Sequence, residues 1–216
     1  MLDTGMKPTN PVVNRSHPLA KGLVGAYAFE DGIRLSDLSG HGRNGTIANS
    51  GETWETSPYG QAIKFQGGAS GAYMTTTSTP LVHFAISLIF KAPNSGHYYW
   101  NSLFKTNGTG WGDINFWMES HPSYKRYDLS INNRLSGSVL TGHIHEFDIW
   151  THLVATYDQN ELRVYKNGVL AGSASQSAAL SQTATQWEFS GQGNHSSDET
   201  ASTMASALVF DRALSA

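Results

Sequence analysis

Trp150-Thr151-His152-Leu153-Val154-Ala155-Thr156-Tyr157, a break at Asp158-Gln159-Asn160, Glu161-Leu162-Arg163-Val164-Tyr165, and a second break at Asn167-Gly168 before Val169-Leu170-Ala171 form the stretch that decides the fold class. Short runs of β-branched and aromatic residues bounded by turn formers read as strands. Asn-Gly tolerates the positive φ angles of a tight type I′ connection, so the stretch predicts a hairpin followed by a return strand. The same grammar extends in both directions. Residues 23–29 and 62–65 read as strands, the second ending at Gly67-Gly68. Phe84, Ile86, Leu88 and Phe90 put one apolar face on a core. Ile114, Phe116 and Met118 repeat that pattern, which leaves Asn115 and Trp117 on the opposite face and predicts that Trp117 meets solvent or a groove. Residues 205–210 form a last strand, and only 211–216 could make a helical turn. The run at 173–185, rich in Ser, Ala and Gln, reads as a long surface connection. The total, about eleven to thirteen strands, is enough for two sheets packed face to face.

Composition agrees with this pattern. The chain has 216 residues, 22 glycines, no cysteine, 39% apolar and 14% charged residues, where roughly 25% charged is ordinary. It is long enough for one domain with a substantial core, and residues 22–216 read as that domain. A formal net charge of −3 with scattered Lys and Arg gives no basic stripe, which argues against nucleic acid. No apolar run approaches the roughly 20 residues a membrane helix needs, and the first 22 residues lack the apolar segment of a secretory signal. Residues 1–21, with Lys7-Pro8-Thr9-Asn10-Pro11, read as an N-terminal arm and attachment segment.

In four pieces, taken in order, the chain resembles the laminin-G-like branch of the concanavalin A-like lectin/glucanase superfamily. They are Gly22-Leu23-Val24-Gly25-Ala26-Tyr27-Ala28-Phe29, the loop Asp37-Leu38-Ser39-Gly40-His41-Gly42-Arg43-Asn44-Gly45-Thr46, the hairpin at 150–170, and Phe210-Asp211-Arg212-Ala213-Leu214-Ser215. The resemblance implies an all-β jelly-roll sandwich of two curved antiparallel sheets, with a calcium ion near the glycine loop. The opening Asn14-Arg15-Ser16-His17-Pro18-Leu19-Ala20-Lys21-Gly22-Leu23-Val24 is similar to a start found in tailed-bacteriophage structural proteins of this family, which implies a place on the virion surface.

Four groups of residues are candidates for chemistry. Asp37 and the loop through Asn44 offer oxygens to calcium, since a glycine-rich turn can aim carbonyls inward; the alternative is a tight turn in which Asp37 caps backbone N–H groups. The acidic pair that the family places ahead of its final strand is replaced here by Ala205 and Ser206. Glu146-Phe147-Asp148 invites comparison with the acidic strand of a glucanase, but Ile149-Trp150-Thr151 follows and the second essential acid is missing. His143, His145 and His152 could in principle hold zinc, although no spacing fixes a third ligand. Aromatics at Tyr98, Tyr99, Trp100, Trp111, Trp117 and Tyr124 cluster among Gly, Asn and Ser. Trp100 reads as core; Tyr98, Tyr99, Trp111, Trp117 and Tyr124 suit stacking on sugar rings or contact with a protein partner.

These readings predict a non-enzymatic protein. The first is a virion surface protein, a capsid decoration or fibre component that forms a homo-oligomer or binds a viral coat or tail protein. The second is a carbohydrate-binding module for cell-surface polysaccharide. A glucanase or lyase would need acids that the pattern does not supply.

Overall fold

The computed structural model describes residues 11–30, 35–66, 71–94, 99–107, 113–121, 124–132, 137–142, 144–180, 184–191 and 202–214. Among them are fifteen strands in two antiparallel sheets. One sheet contains β1 (Leu23–Tyr27), β3 (Thr53–Ser57), β4 (Gly60–Lys64), β6 (Phe84–Lys91), β11 (Thr151–Tyr157), β12 (Glu161–Lys166), β13 (Val169–Ser175) and β15 (Thr203–Phe210). Its order is β13-β12-β11-β6-β15-β4-β3, and β1 pairs with the C-terminal half of β15, beyond the stretch that β4 occupies. The other contains β2 (Thr46–Ala48), β5 (Tyr73–Thr77), β7 (Tyr99–Thr106), β8 (Ile114–His121), β9 (Tyr124–Ile131), β10 (Gly137–Leu140) and β14 (Gln186–Gly191), in the order β10-β9-β8-β7-β14-β5-β2.

Alternation fixes which side chains meet between the sheets. Phe84, Ile86, Leu88 and Phe90 of β6 share the core with Phe104, Phe116, Leu129 and Phe189 of the other sheet. Burial of each such side chain stabilises the fold by about 1.5–3 kcal/mol. In this layer Phe104 meets Phe189 edge to face with ring centroids 5.2 Å apart, and Trp187 at a tilt with centroids 6.3 Å apart. The expected hairpin forms as read. Asn167 and Gly168 adopt φ of 50° and 82°, and the Asn167 side chain accepts a bond from the His152 amide at 3.0 Å.

Three expectations need correction. Residues 211–214 hold bends and irregular backbone instead of a helical turn, and the described helical piece is a 3-10 turn at Pro18–Ala20. Position 18 is a proline, whose fixed φ suits the first turn. Residues 173–175 belong to β13, and the following segment is anchored: Leu180 is buried and the Tyr157 hydroxyl donates to the Ala178 carbonyl. The first strand stops at Tyr27, since Phe29, wholly buried, takes φ of 53°. The side chain of Trp100, read as core, lies outside those the structure describes.

Residues 11–21 lie along the domain. Val13 packs on a small outer cluster of Leu23, Ala26, Ala85 and Phe210. Arg212 Nε donates to the Lys21 carbonyl at 2.6 Å, and the Asp211 amide donates to the Gly22 carbonyl at 2.8 Å. The Arg15 guanidinium covers Gly40, whose φ of 84° and lack of a side chain permit that approach.

Candidate functional site

The glycine loop is built around one carboxylate. Asp37 Oδ1 accepts from the amides of Ala26 (3.0 Å) and Ser39 (2.9 Å); Oδ2 accepts from the Ser39 hydroxyl (2.8 Å) and the Arg43 amide (3.0 Å). Burial alone would raise its pKa, but these donors outweigh it and hold the carboxyl below the usual range. Asn44 Oδ1 in turn accepts from the Asp37 amide at 2.9 Å. The Arg43 carbonyl is also taken, by the hydroxyls of Tyr27 and Thr76. A cation needs free oxygens, and here the oxygens face N–H and O–H hydrogens. Asp37 and Asn44 therefore do not fit calcium; the arrangement is the self-capped turn. Among the described residues no group of three or more His, Asp or Glu side chains is placed to hold a metal ion.

The structure describes only part of the aromatic group. Tyr98 and Trp111 lie outside the described residues. The backbones of Tyr99 and Tyr124 begin β7 and β9, opposite Ser120 and His121 at one end of β8. Trp117 contradicts its reading. It sits on the outer face of its sheet, as alternation predicts, yet it is only 1% exposed and offers no open ring. Around it on the same face run Ser102, Asn115, Glu119, Asp128 and Ser130, all buried. This row is held by polar contacts. Ser102 Oγ donates to Asn115 Oδ1 at 2.9 Å, and Arg126 Nε donates to Glu119 Oε2 at 2.7 Å. Glu119 and Asp128 are diagonal neighbours across β8 and β9, but both are shielded from water, so neither is placed to meet a polymer.

The remaining sequence candidates fall to ordinary roles. Glu146 is exposed and bonds to Lys166 at 2.5 Å, on irregular backbone. His152 Nε2 lies 2.9 Å from the Ser87 hydroxyl. His145 is buried against Phe147 and Tyr127, with Nδ1 3.1 Å from the Tyr127 hydroxyl. Burial, reinforced by the charges of Lys125 and Lys166, pushes its pKa down to about 4. His143 lies outside the described residues. An open groove of about 370 Å³ runs beside His145, between Ile144 and Glu146 on one side and Lys166, Val169, Leu170 and Ala171 on the other.

One cluster escaped the sequence reading. Tyr59, in the turn joining β3 and β4, meets Trp150 edge to face with ring centroids 5.8 Å apart. Lys91 Nζ lies 5.3 Å from the Trp150 ring centroid and 3.0 Å from Glu55 Oε1. The available signal was an aromatic inside Ser57-Pro58-Tyr59-Gly60, because a residue in a Pro/Gly turn is displayed outward. Nothing in the sequence pairs it with Trp150.

Two antiparallel sheets enclosing a single aromatic and aliphatic core, with a self-capped glycine loop at one rim, define a lectin-like sandwich. The chain belongs to the concanavalin A-like lectin/glucanases superfamily: its laminin-G-type family model matches residues 66–216. Solved structures carry the same fold. The binding domain of Paraclostridial Mosquitocidal Protein 1 has a TM-score of 0.69 and 15% identity, covering 91% of this chain and 50% of that one. The binding domain of botulinum neurotoxin DC in complex with SialylT has a TM-score of 0.71 and 10% identity, covering 91% and 50%. A structure of botulinum neurotoxin type C, whose uptake into cells is described as dependent upon interaction with two ganglioside molecules, has a TM-score of 0.69 and 11% identity, covering 90% and 49%. The chain thus spans about half the length of these solved chains. No curated protein matches it by sequence.

Proposed function

We propose that this chain is a non-catalytic adhesion module that holds cell-surface polysaccharide. The observation that carries the reading is the fold likeness, which runs over 90–91% of the chain to structures named as binding domains or described with gangliosides. The chain's own residues add to it: the ends of β7, β8 and β9 gather positions 99, 121 and 124 at one end of a sheet, within the aromatic stretch from Tyr98 to Tyr124. Sugar rings present C–H faces to aromatic side chains and hydroxyls to amides and carboxylates. A glycan array probed with the whole chain yields hits, and Trp111→Ala and Tyr124→Ala weaken them. An array without hits removes the reading. The glucanase alternative requires turnover, and none is expected on laminarin-type or alginate-type polymers.

A second reading is supported by the arm. Val12 and Leu19 are 88% and 61% exposed on a segment tied to the domain through Val13, Pro18 and Lys21. Apolar side chains displayed in this way suit attachment to a viral coat or tail protein or to further copies of the chain, as a virion decoration requires. Val12→Ser with Leu19→Ser abolishes incorporation into particles while leaving the thermal midpoint unchanged; normal incorporation counts against this reading.

A further inference from the structure

We infer that the Tyr59–Trp150 pair, with Glu55 and Lys91 beside it, is a neutral-sugar contact site on the sheet opposite the Tyr99–Tyr124 region; this inference rests on the adhesion reading above. Both rings are held by local backbone geometry. The Ser57 hydroxyl donates to the Gly60 carbonyl at 2.7 Å and accepts from the Tyr59 amide at 3.0 Å, which fixes the turn that presents Tyr59. On the other side, Asp148 takes φ of 57° and its amide donates to the Ala92 carbonyl at 2.8 Å, which sets the bend that delivers Trp150. Ring contacts ordered before a ligand arrives lose little entropy on binding.

The site is open. Tyr59 is 38% exposed, Ile149 next to Trp150 is 50% exposed, and Trp150 is half-buried. The Lys91 ammonium lies over one face of the Trp150 ring and forms an ion pair with the Glu55 carboxylate, each about a third exposed at 29% and 32%, which leaves the Tyr59 ring and the other side of Trp150 for the sugar's C–H face. The pair cancels in charge, so the patch attracts neither an anion nor a cation. It still offers one donor and one acceptor a few ångströms apart. A sugar hydroxyl is itself donor and acceptor, and a pyranose carries several of them around an apolar C–H face. Rings for that face beside a mutually neutralised donor and acceptor for the hydroxyls match a neutral hexose better than a sialic acid or an acidic polymer.

The test uses the whole chain and immobilised gluco-, manno- and galacto-oligosaccharides, read by surface plasmon resonance, with thermal melts on every variant. Tyr59→Ala and Trp150→Ala each weaken binding to the responding oligosaccharide by about tenfold, while Tyr59→Phe, which keeps the ring, stays within about twofold. Glu55→Gln weakens it by about threefold with the melt lowered by no more than a few degrees. Tyr59→Ala guards against a folding artefact, because its side chain lies in an exposed turn. If the wild-type chain binds none of these neutral oligosaccharides, this site is wrong, whereas the adhesion reading falls only if the glycan array is also without hits. If it binds and the two alanine variants bind equally well, this site alone is wrong. A change in self-association with sugar affinity unaltered would make the patch a protein interface and overturn the inference.

Discussion

Two tryptophans mark the contrast between the outer surfaces of the sandwich. Trp117 stands on the outer face of its sheet at 1% exposure, in a row of buried polar side chains that includes Glu119 and Asp128. Trp150 stands at the head of β11 in contact with Tyr59, which is 38% exposed. The first belongs to a surface sealed from water. The second belongs to a surface whose polar groups, Lys91 and Glu55, remain partly solvated. The difference teaches that an outward-facing position is not an available one: a sheet face can be covered and so be closed to a ligand.

Substitutions should separate the two surfaces most in stability. Trp117→Ala, which removes a fully buried indole, is expected to cost about 3–5 kcal/mol in urea unfolding. Trp150→Ala, half-exposed, should cost less than about 1.5 kcal/mol. Equal losses would erase the distinction.

Acid should sharpen it next. His145 is buried and neutral, with a folded pKa of about 4 against an ordinary 6.5. Below pH 6.5 the unfolded chain takes up a proton that the folded chain refuses, so stability is full above that pH and falls progressively toward pH 4, by up to about 3 kcal/mol. His152, also depressed by burial, acts in the same direction. Chemical denaturation at steps from pH 7 to 4.5 checks this, and His145→Asn should flatten the slope. The Tyr59–Trp150 patch carries no histidine, so its sugar affinity should vary far less over the same range.

Charge removal gives a smaller difference. Glu119→Gln leaves Arg126 beside a neutral partner in a nearly dry row and should cost about 2 kcal/mol, between the values for exposed and buried pairs. Glu55→Gln, at a partly solvated pair, should cost no more than about 1 kcal/mol in unfolding while it weakens sugar binding.

Much of the fold was legible because strands announce themselves by alternation. Phe84, Ile86, Leu88 and Phe90 could point to one core only if they lay on a strand, and Asn167-Gly168 could close only a tight hairpin. The role of Asp37 was half legible: a carboxylate followed by Ser-Gly-x-Gly reads equally as a metal ligand or as a cap. The four donors that decide between them come in part from Ala26, on a different strand. Alternation placed Trp117 on the correct face but carries no information about what that face meets. Tyr59 and Trp150 meet only because β4, β15, β6 and β11 lie side by side in that order, a long-range arrangement that no local pattern encodes.

The most direct test of adhesion without catalysis incubates the chain in excess with an end-labelled polysaccharide that scores on the array, then measures both the fraction retained and the length of the recovered polymer. The account predicts retention of the polymer at its starting length. Shortened products, or no retention of any polysaccharide, would contradict it.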